Sequence, residues 1–189
     1  MRTPLLAVLG AAAALSLVAP GTAAAQQPLD SDTQEVSFRV VANELGGLSV
    51  NTGGSNSTLG LAADGGTASG TLTAFSITDT RGTTTGWNAY LALTDFVHTS
   101  DARAIIPATK ATYRPPASAN GLVLGGTANR VAETIPLKNS DTLFMTRTTR
   151  DLPTTLEIAT IPNVNAMTVD LSDGAALGQY KATLTLSAL

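Results

Sequence analysis

The chain has 189 residues, of which 43% are apolar, 13% charged and 4% aromatic, with a formal net charge of −3, one His and no Cys. Eleven basic residues in an acidic chain cannot form the stripe that neutralises phosphates, which argues against nucleic-acid binding, and without Cys there is no disulfide framework, thiol nucleophile or thiolate zinc site. The charged fraction is half the roughly 25% of an ordinary soluble domain, and Thr, at 29 residues, fills much of the deficit. Ample Val, Ile and Leu argue against disorder, and the Thr content favours strands.

Residues 1–25 read as a secretory signal, with Arg2 ahead of an apolar run over 5–19, then Pro20-Gly21 and the small residues Ala23-Ala24-Ala25. The run is shorter than the roughly 20 residues that span a bilayer, so cleavage after Ala25 is expected rather than anchoring. No Cys follows for lipid attachment, no second apolar span exists, and no apolar tail or sorting signal closes the chain. The expectation is an exported protein, released or held at the cell surface without covalent attachment and without an integral membrane segment.

Residues 26–34 form a polar leader expected to be flexible, and 35–189 a single domain. Over 35–41, Val36, Phe38 and Val40 alternate with Glu35, Ser37 and Arg39, the two-residue period of a strand. Residues 51–70, rich in Gly, Ser, Asn and Thr, read as turns. Over 71–78 a parity shift between Ala74 and Phe75 predicts a bulge or a strand buried on both faces. After the turn Asp79-Thr80-Arg81-Gly82, Trp87, Ala89, Leu91 and Leu93 share one face of the next strand, and Asn88, Tyr90, Ala92 and Thr94 the other. Shorter strands are predicted at 104–106, 122–124, 131–135, 142–148 and 155–161, and one helical turn fits within 163–177. Tyr180, Ala182, Leu184, Leu186 and Ala188 alternate with polar residues in the last strand. Eight or more short strands spaced by turn signals predict an all-β fold, a single-domain antiparallel β-sandwich following the cleaved signal peptide. Trp87, the one Trp, is its natural buried anchor.

Candidate chemistry is sparse. Asp95, His98 and Asp101 stand at three-residue intervals, which on a helix would assemble a metal or general-base site, but the segment reads as a loop. A Ser-His-Asp triad would have to use His98, and no Gly-x-Ser-x-Gly elbow or phosphate loop occurs. No catalytic, cofactor-binding or metal residues are assigned, and a non-enzymatic protein is expected.

The segment 75–96, Phe-Ser-Ile-Thr-Asp-Thr-Arg-Gly-Thr-Thr-Thr-Gly-Trp-Asn-Ala-Tyr-Leu-Ala-Leu-Thr-Asp-Phe, is the most specific. Asp79 and Arg81 flank a turn in which Asp can bond the backbone, Gly82 can take a positive φ, and Gly86 admits the bulky Trp87. This order resembles the WxL-domain family of Gram-positive surface proteins, as do the Ile106-Pro107-Ala108 stretch and the closing strand after Gly178. The two triplets that name the family stand here as Trp87-Asn88-Ala89 and Leu186-Ser187-Ala188.

The resemblance implies a secreted surface domain that attaches non-covalently to peptidoglycan or other wall polysaccharide, or to partner surface proteins. Its candidate motif and contact residues are Asp79, Arg81, Gly82, Gly86, Trp87, Tyr90 and Leu186. Trp87 is either a core residue, as its alternation favours, or a platform for sugar rings. Two other readings are a structural subunit that self-associates through strand edges and a secreted hydrolase dependent on His98. The acidic charge gives no long-range attraction to anionic wall polymers, so attachment would use short-range contacts.

Overall fold

A computed structural model describes residues 34–40, 47–54, 56–61, 66–122, 127–149, 153, 156–162 and 166–189. The signal and all of the leader except Gln34 lie outside the described residues. Gln34 itself opens the first strand, one residue earlier than the alternation predicts.

Among the described residues sixteen strands follow in chain order: β1 Gln34–Val40, β2 Leu48–Thr52, β3 Asn56–Leu61, β4 Thr67–Thr71, β5 Phe75–Asp79, β6 Trp87–Leu93, β7 Phe96–His98 and β8 Ile105–Ile106. A single 3-10 turn, Ala108–Lys110, precedes β9 Ala111–Arg114, β10 Asn120–Leu122, β11 Ala128–Arg130, β12 Ile135–Pro136, β13 Thr142–Arg147, β14 Glu157–Ile161, β15 Ala166–Asp170 and β16 Tyr180–Ala188. No α-helix occurs among the described residues, and so no helix there is long and apolar enough to cross a membrane.

The fold is an all-β, sandwich-like domain. The long sheet runs β11-β13-β6-β16-β1-β3-β4-β15-β9-β12, with β7 on β16 and β8 on β7, and a four-stranded sheet runs β10-β14-β5-β2. Among the described residues every pairing is antiparallel except β1 with β16, which is parallel in register from Gln34↔Tyr180 to Val40↔Leu186. The sheets meet through Phe75 of β5, edge-on to Phe144 of β13 at 5.8 Å. Phe144 also packs at 5.7 Å against Tyr113 of β9, so the long sheet curls until its distant strands share one core. Trp87, Ala89, Leu91 and Leu93 of β6 and Ala182, Leu184, Leu186 and Ala188 of β16 are buried while their alternates are not, as a two-residue period requires.

Several sequence expectations need correction. Residues 51–70 are not only turns: they hold the end of β2, then β3 and β4, because Ser57, Leu59 and Ala68 bury their side chains. The parity shift at Ala74 and Phe75 is neither a bulge nor a doubly buried strand. There the chain leaves β4 in the long sheet and enters β5 in the other, with Leu72 buried in the link. The helical turn expected within 163–177 is replaced over Ala166–Asp170 by β15, where Met167 and Val169 face the core and Thr168 meets Thr112 at 2.6 Å, hydroxyl to hydroxyl. The strand expected at 131–135 is interrupted, Val131 being 43% exposed and only Ile135 continuing into β12. The strands expected at 104–106, 142–148 and 155–161 are shorter, as Ile105–Ile106, Thr142–Arg147 and Glu157–Ile161. That expected at 122–124 begins earlier, at Asn120, and its last two residues lie outside the described ones.

Candidate functional site: a buried polar junction and the face above it

Asp79 ends β5 and, although only 1% exposed, is held by its own turn. Its Oδ1 accepts hydrogen bonds from the Arg81 backbone N–H at 3.0 Å and from Arg81 Nε at 2.9 Å, and its Oδ2 accepts from Arg81 Nη2 at 2.8 Å. Such a two-point guanidinium–carboxylate pair is strong because the two planar groups match in shape. The same Nη2 donates to the Gly86 carbonyl at 2.9 Å, which ties the two ends of the loop together. The hydrogen bond to Asp79 outweighs the cost of partial burial and, with the charges of Asp79 and Glu157, raises the Arg81 guanidinium above its ordinary pKa. Gly82 takes φ +66° at the turn, in open space.

Gly86 is required for a different reason from the one its sequence context suggests. A Cβ there would lie 1.8 Å from the Arg147 carbonyl oxygen, so the position is set by the backbone of β13 pressing on it and not by the bulk of Trp87.

Trp87 is 2% exposed, which excludes it as a surface platform and makes it the core anchor. Its indole N–H donates to Glu157 Oε1 at 3.1 Å. Arg147 Nε donates to the same carboxylate, at 3.2 Å to Oε1 and 3.3 Å to Oε2, and Arg147 Nη1 donates to the Thr148 carbonyl. Both side chains of the Arg147–Glu157 pair have 0% exposure. Glu157 also faces Asp79 across the β14–β5 ladder. Asp79, Arg81, Gly86, Trp87, Arg147 and Glu157 therefore form one polar junction between the two sheets, every charge in it matched. Sequence reasoning missed Arg147 and Glu157, although inward strand parity, Glu157 with Ala159 and Ile161 and Arg147 with Met145, was a usable signal for both.

The two triplets lie side by side. β6 and β16 pair Ala89↔Ala188, Tyr90↔Ser187 and Leu91↔Leu186, and Asn88 and Leu189 exchange backbone hydrogen bonds at 2.9 and 3.0 Å. Leu186 is 1% exposed and belongs to the core with Trp87. Tyr90 points to the opposite, outward face. Its cross-strand neighbours are Ser187 of β16 and Leu143 of β13; beside it Thr146 donates to the Asn88 side-chain oxygen at 2.8 Å, and Ala92 stands opposite Thr185. None of these positions around Tyr90 carries a charge, although β16 places the exposed Lys181 on the same outward alternation nearer its start.

Asp95, His98 and Asp101 do not converge. Asp95 Oδ1 accepts from the Ala108 N–H at 2.8 Å, and Asp101 Oδ1 from the Arg103 N–H at 3.0 Å. His98 Nδ1 accepts the backbone N–H groups of Ser100 and Asp101 at 3.1 and 3.0 Å, which leaves Nε2–H to donate to the Leu177 carbonyl at 3.0 Å. Its ring stands edge-on to Tyr180 at 5.0 Å. Both nitrogens are thus spent on holding loop backbone. Among the described residues no three His, Asp or Glu side chains are grouped to bind a metal. No family model matches the chain, and a search of curated proteins finds no significant match.

Proposed function

We propose that this is a secreted, non-catalytic surface domain that associates non-covalently with the bacterial cell wall by contacting peptidoglycan, as the resemblance to the WxL-domain family implies. The observation that supports this reading is the outward face of β13, β6 and β16. Tyr90 offers a ring face for stacking on a sugar, with the Asn88 carboxamide and the hydroxyls of Thr146, Ser187 and Thr185 around it. The uncharged surroundings of Tyr90 suit a neutral glycan strand better than an anionic wall polymer.

Co-sedimentation with purified peptidoglycan tests the reading. The wild-type chain is retained, and Tyr90→Ala lowers retention by about tenfold, the equivalent of roughly 1.4 kcal/mol. A wild-type chain that stays in the supernatant ends the proposal.

A second reading, docking to a partner surface protein, draws on a different region. Val97 and Ile105, 37% and 50% exposed, are register partners on β7 and β8. Ile105 also lines a groove of about 170 Å³ with Ile106, Pro107, Leu171 and Ala175, rimmed by the charged Lys110, Asp170 and Asp173. Exposed apolar residues rimmed by charged ones are the kind of surface that marks protein contacts. Ile105→Lys would then abolish co-isolation of a surface protein and leave peptidoglycan retention unchanged.

A further inference from the structure

The chain holds a single Asn-Gly step, Asn120-Gly121, at the start of β10. It falls where the backbone passes from one sheet to the other. Residues 117–119 lie against β11, the last strand of the long sheet, with the Ala119 N–H donating to the Ala128 carbonyl at 3.0 Å and the Arg130 N–H to the Ala117 carbonyl at 3.1 Å. From Asn120 onward the same backbone is the edge strand of the four-stranded sheet, with Asn120↔Thr160 and Gly121↔Ala159 on β14. Gly121 makes this crossing possible. Its φ is +106°, and a Cβ there would lie 2.5 Å from the Ile158 carbonyl oxygen, so the fold admits glycine alone. Asn120 meets no such demand: it is exposed, and its carboxamide has no hydrogen-bond partner among the described residues. With no side chain on Gly121, nothing shields its backbone nitrogen from the Asn120 carboxamide carbon, and the two are held in one molecule, one residue apart.

We infer that Asn120-Gly121 is a site of spontaneous covalent modification, at which Asn120 becomes an aspartyl or isoaspartyl residue and the corner between the two sheets is unfastened. The Gly121 nitrogen attacks Cγ of Asn120. The N–Cγ bond forms, the Cγ–Nδ2 bond breaks, and the Gly121 amide proton leaves with the nitrogen as ammonia. Water then opens the cyclic imide, and no electrons are exchanged with any other molecule. Hydrolysis of the N–Cγ bond gives Asp, whereas hydrolysis at the Asn120 backbone carbonyl gives isoaspartate, in which the main chain runs through the side-chain methylene and Cγ. Either product adds one negative charge. Isoaspartate also lengthens the backbone by one atom at the crossing, so that 117–119 and 120–122 no longer keep register with β11 and β14 together. This inference is independent of wall binding.

The folded wild-type chain is aged at mildly alkaline pH beside a urea-unfolded sample, and both are digested and their peptides weighed. The expected result is the mass gain of amide-to-acid conversion in the folded sample, carried by the peptide that contains Asn120 and split into two chromatographic forms. Asn120→Gln, whose longer side chain does not close this imide, loses the gain. In the isolated isoaspartyl form of the protein, amide exchange quickens at Ala119 and Arg130. A gain confined to the unfolded sample, or carried by the exposed Asn139-Ser140 step in place of Asn120, overturns the proposal. So does an isoaspartyl form whose exchange at Ala119 and Arg130 matches that of the fresh protein.

Discussion

The indole N–H of Trp87, on the long sheet, and the carboxylate of Glu157, on the four-stranded sheet, meet at 3.1 Å in an interior where both are at most 2% exposed. The same carboxylate carries Arg147, so one acidic group anchors two side chains of the opposing sheet. Removing one member of a buried ion pair leaves the other charge stranded, at a cost of about 3–5 kcal/mol, whereas replacing both by apolar groups of similar size can be neutral. Glu157→Ala and Arg147→Ala are therefore each expected to destabilise strongly in urea unfolding. Glu157→Leu/Arg147→Met is expected to recover part of that loss, since the Trp87 N–H is still left without its acceptor, and losses of Glu157→Leu and Arg147→Met that simply add in the double variant would show the pair to be uncoupled.

The two loop glycines separate on substitution. Gly86→Ala drives a methyl group into the Arg147 carbonyl, which backbone cannot avoid without parting β6 from β13, and most of the folded protein should be lost at 37 °C. Gly82→Ala meets nothing and bears only the strain of φ +66°, about 1–2 kcal/mol. Thermal melting of the two variants checks the contrast, and equal melting points would refute it.

His98→Ala removes two backbone acceptor contacts and the donor to Leu177. At about 0.5–1.5 kcal/mol for each bond, and with solvent able to replace some of them, a total loss of about 1–2 kcal/mol is expected. Amide exchange should quicken at Ser100 and Asp101 while the β6 amides stay protected. If exchange is unchanged at both, the imidazole does not hold this loop.

Asp170 predicts a limited response to acid. Hydrogen bonding from Ser172, by side chain and by backbone N–H, lowers its pKa from the ordinary carboxylate value. Because the folded value is the lower one, its contribution is present above the unfolded carboxylate pKa and fades as pH falls through the folded value. Asp170→Asn should lower stability slightly at neutral pH and flatten the acid limb of the profile below about pH 4, the region of an unfolded Asp, so that the two proteins converge in acid. A fall in stability between neutral pH and acid that is equally large in both proteins would remove Asp170 from the acid response.

The parts of the fold that could be read from sequence are those where polarity alternates without interruption. β6 and β16 announce their inward residues, and the buried Trp87 follows from that pattern alone. The segment near Phe75 misleads because a change of sheet and a bulge give the same parity shift, and only long-range pairing tells them apart. β15 is hidden because its core face offers just Met167 and Val169, too few to outweigh the Gly and Ala that follow. At the junction, Asp79 and Arg81 were legible as a turn because they bond to each other, whereas the reason for Gly86, the backbone of Arg147, is distant in sequence. Glu157 lies 70 positions from Trp87, and no local pattern connects them.

The Arg147–Glu157 pair also works as a proofreading device for strand register. If β14 slid by one residue against β5, the Glu157 carboxylate would turn to the outside and Ile158 would take its place, leaving the Arg147 guanidinium facing hydrocarbon. In a chain whose strands are so alike in Thr, Ala and Val, hydrophobic matching alone separates the correct alignment from its neighbours by little. A charge that is tolerated in one alignment only makes the misaligned sheets costly.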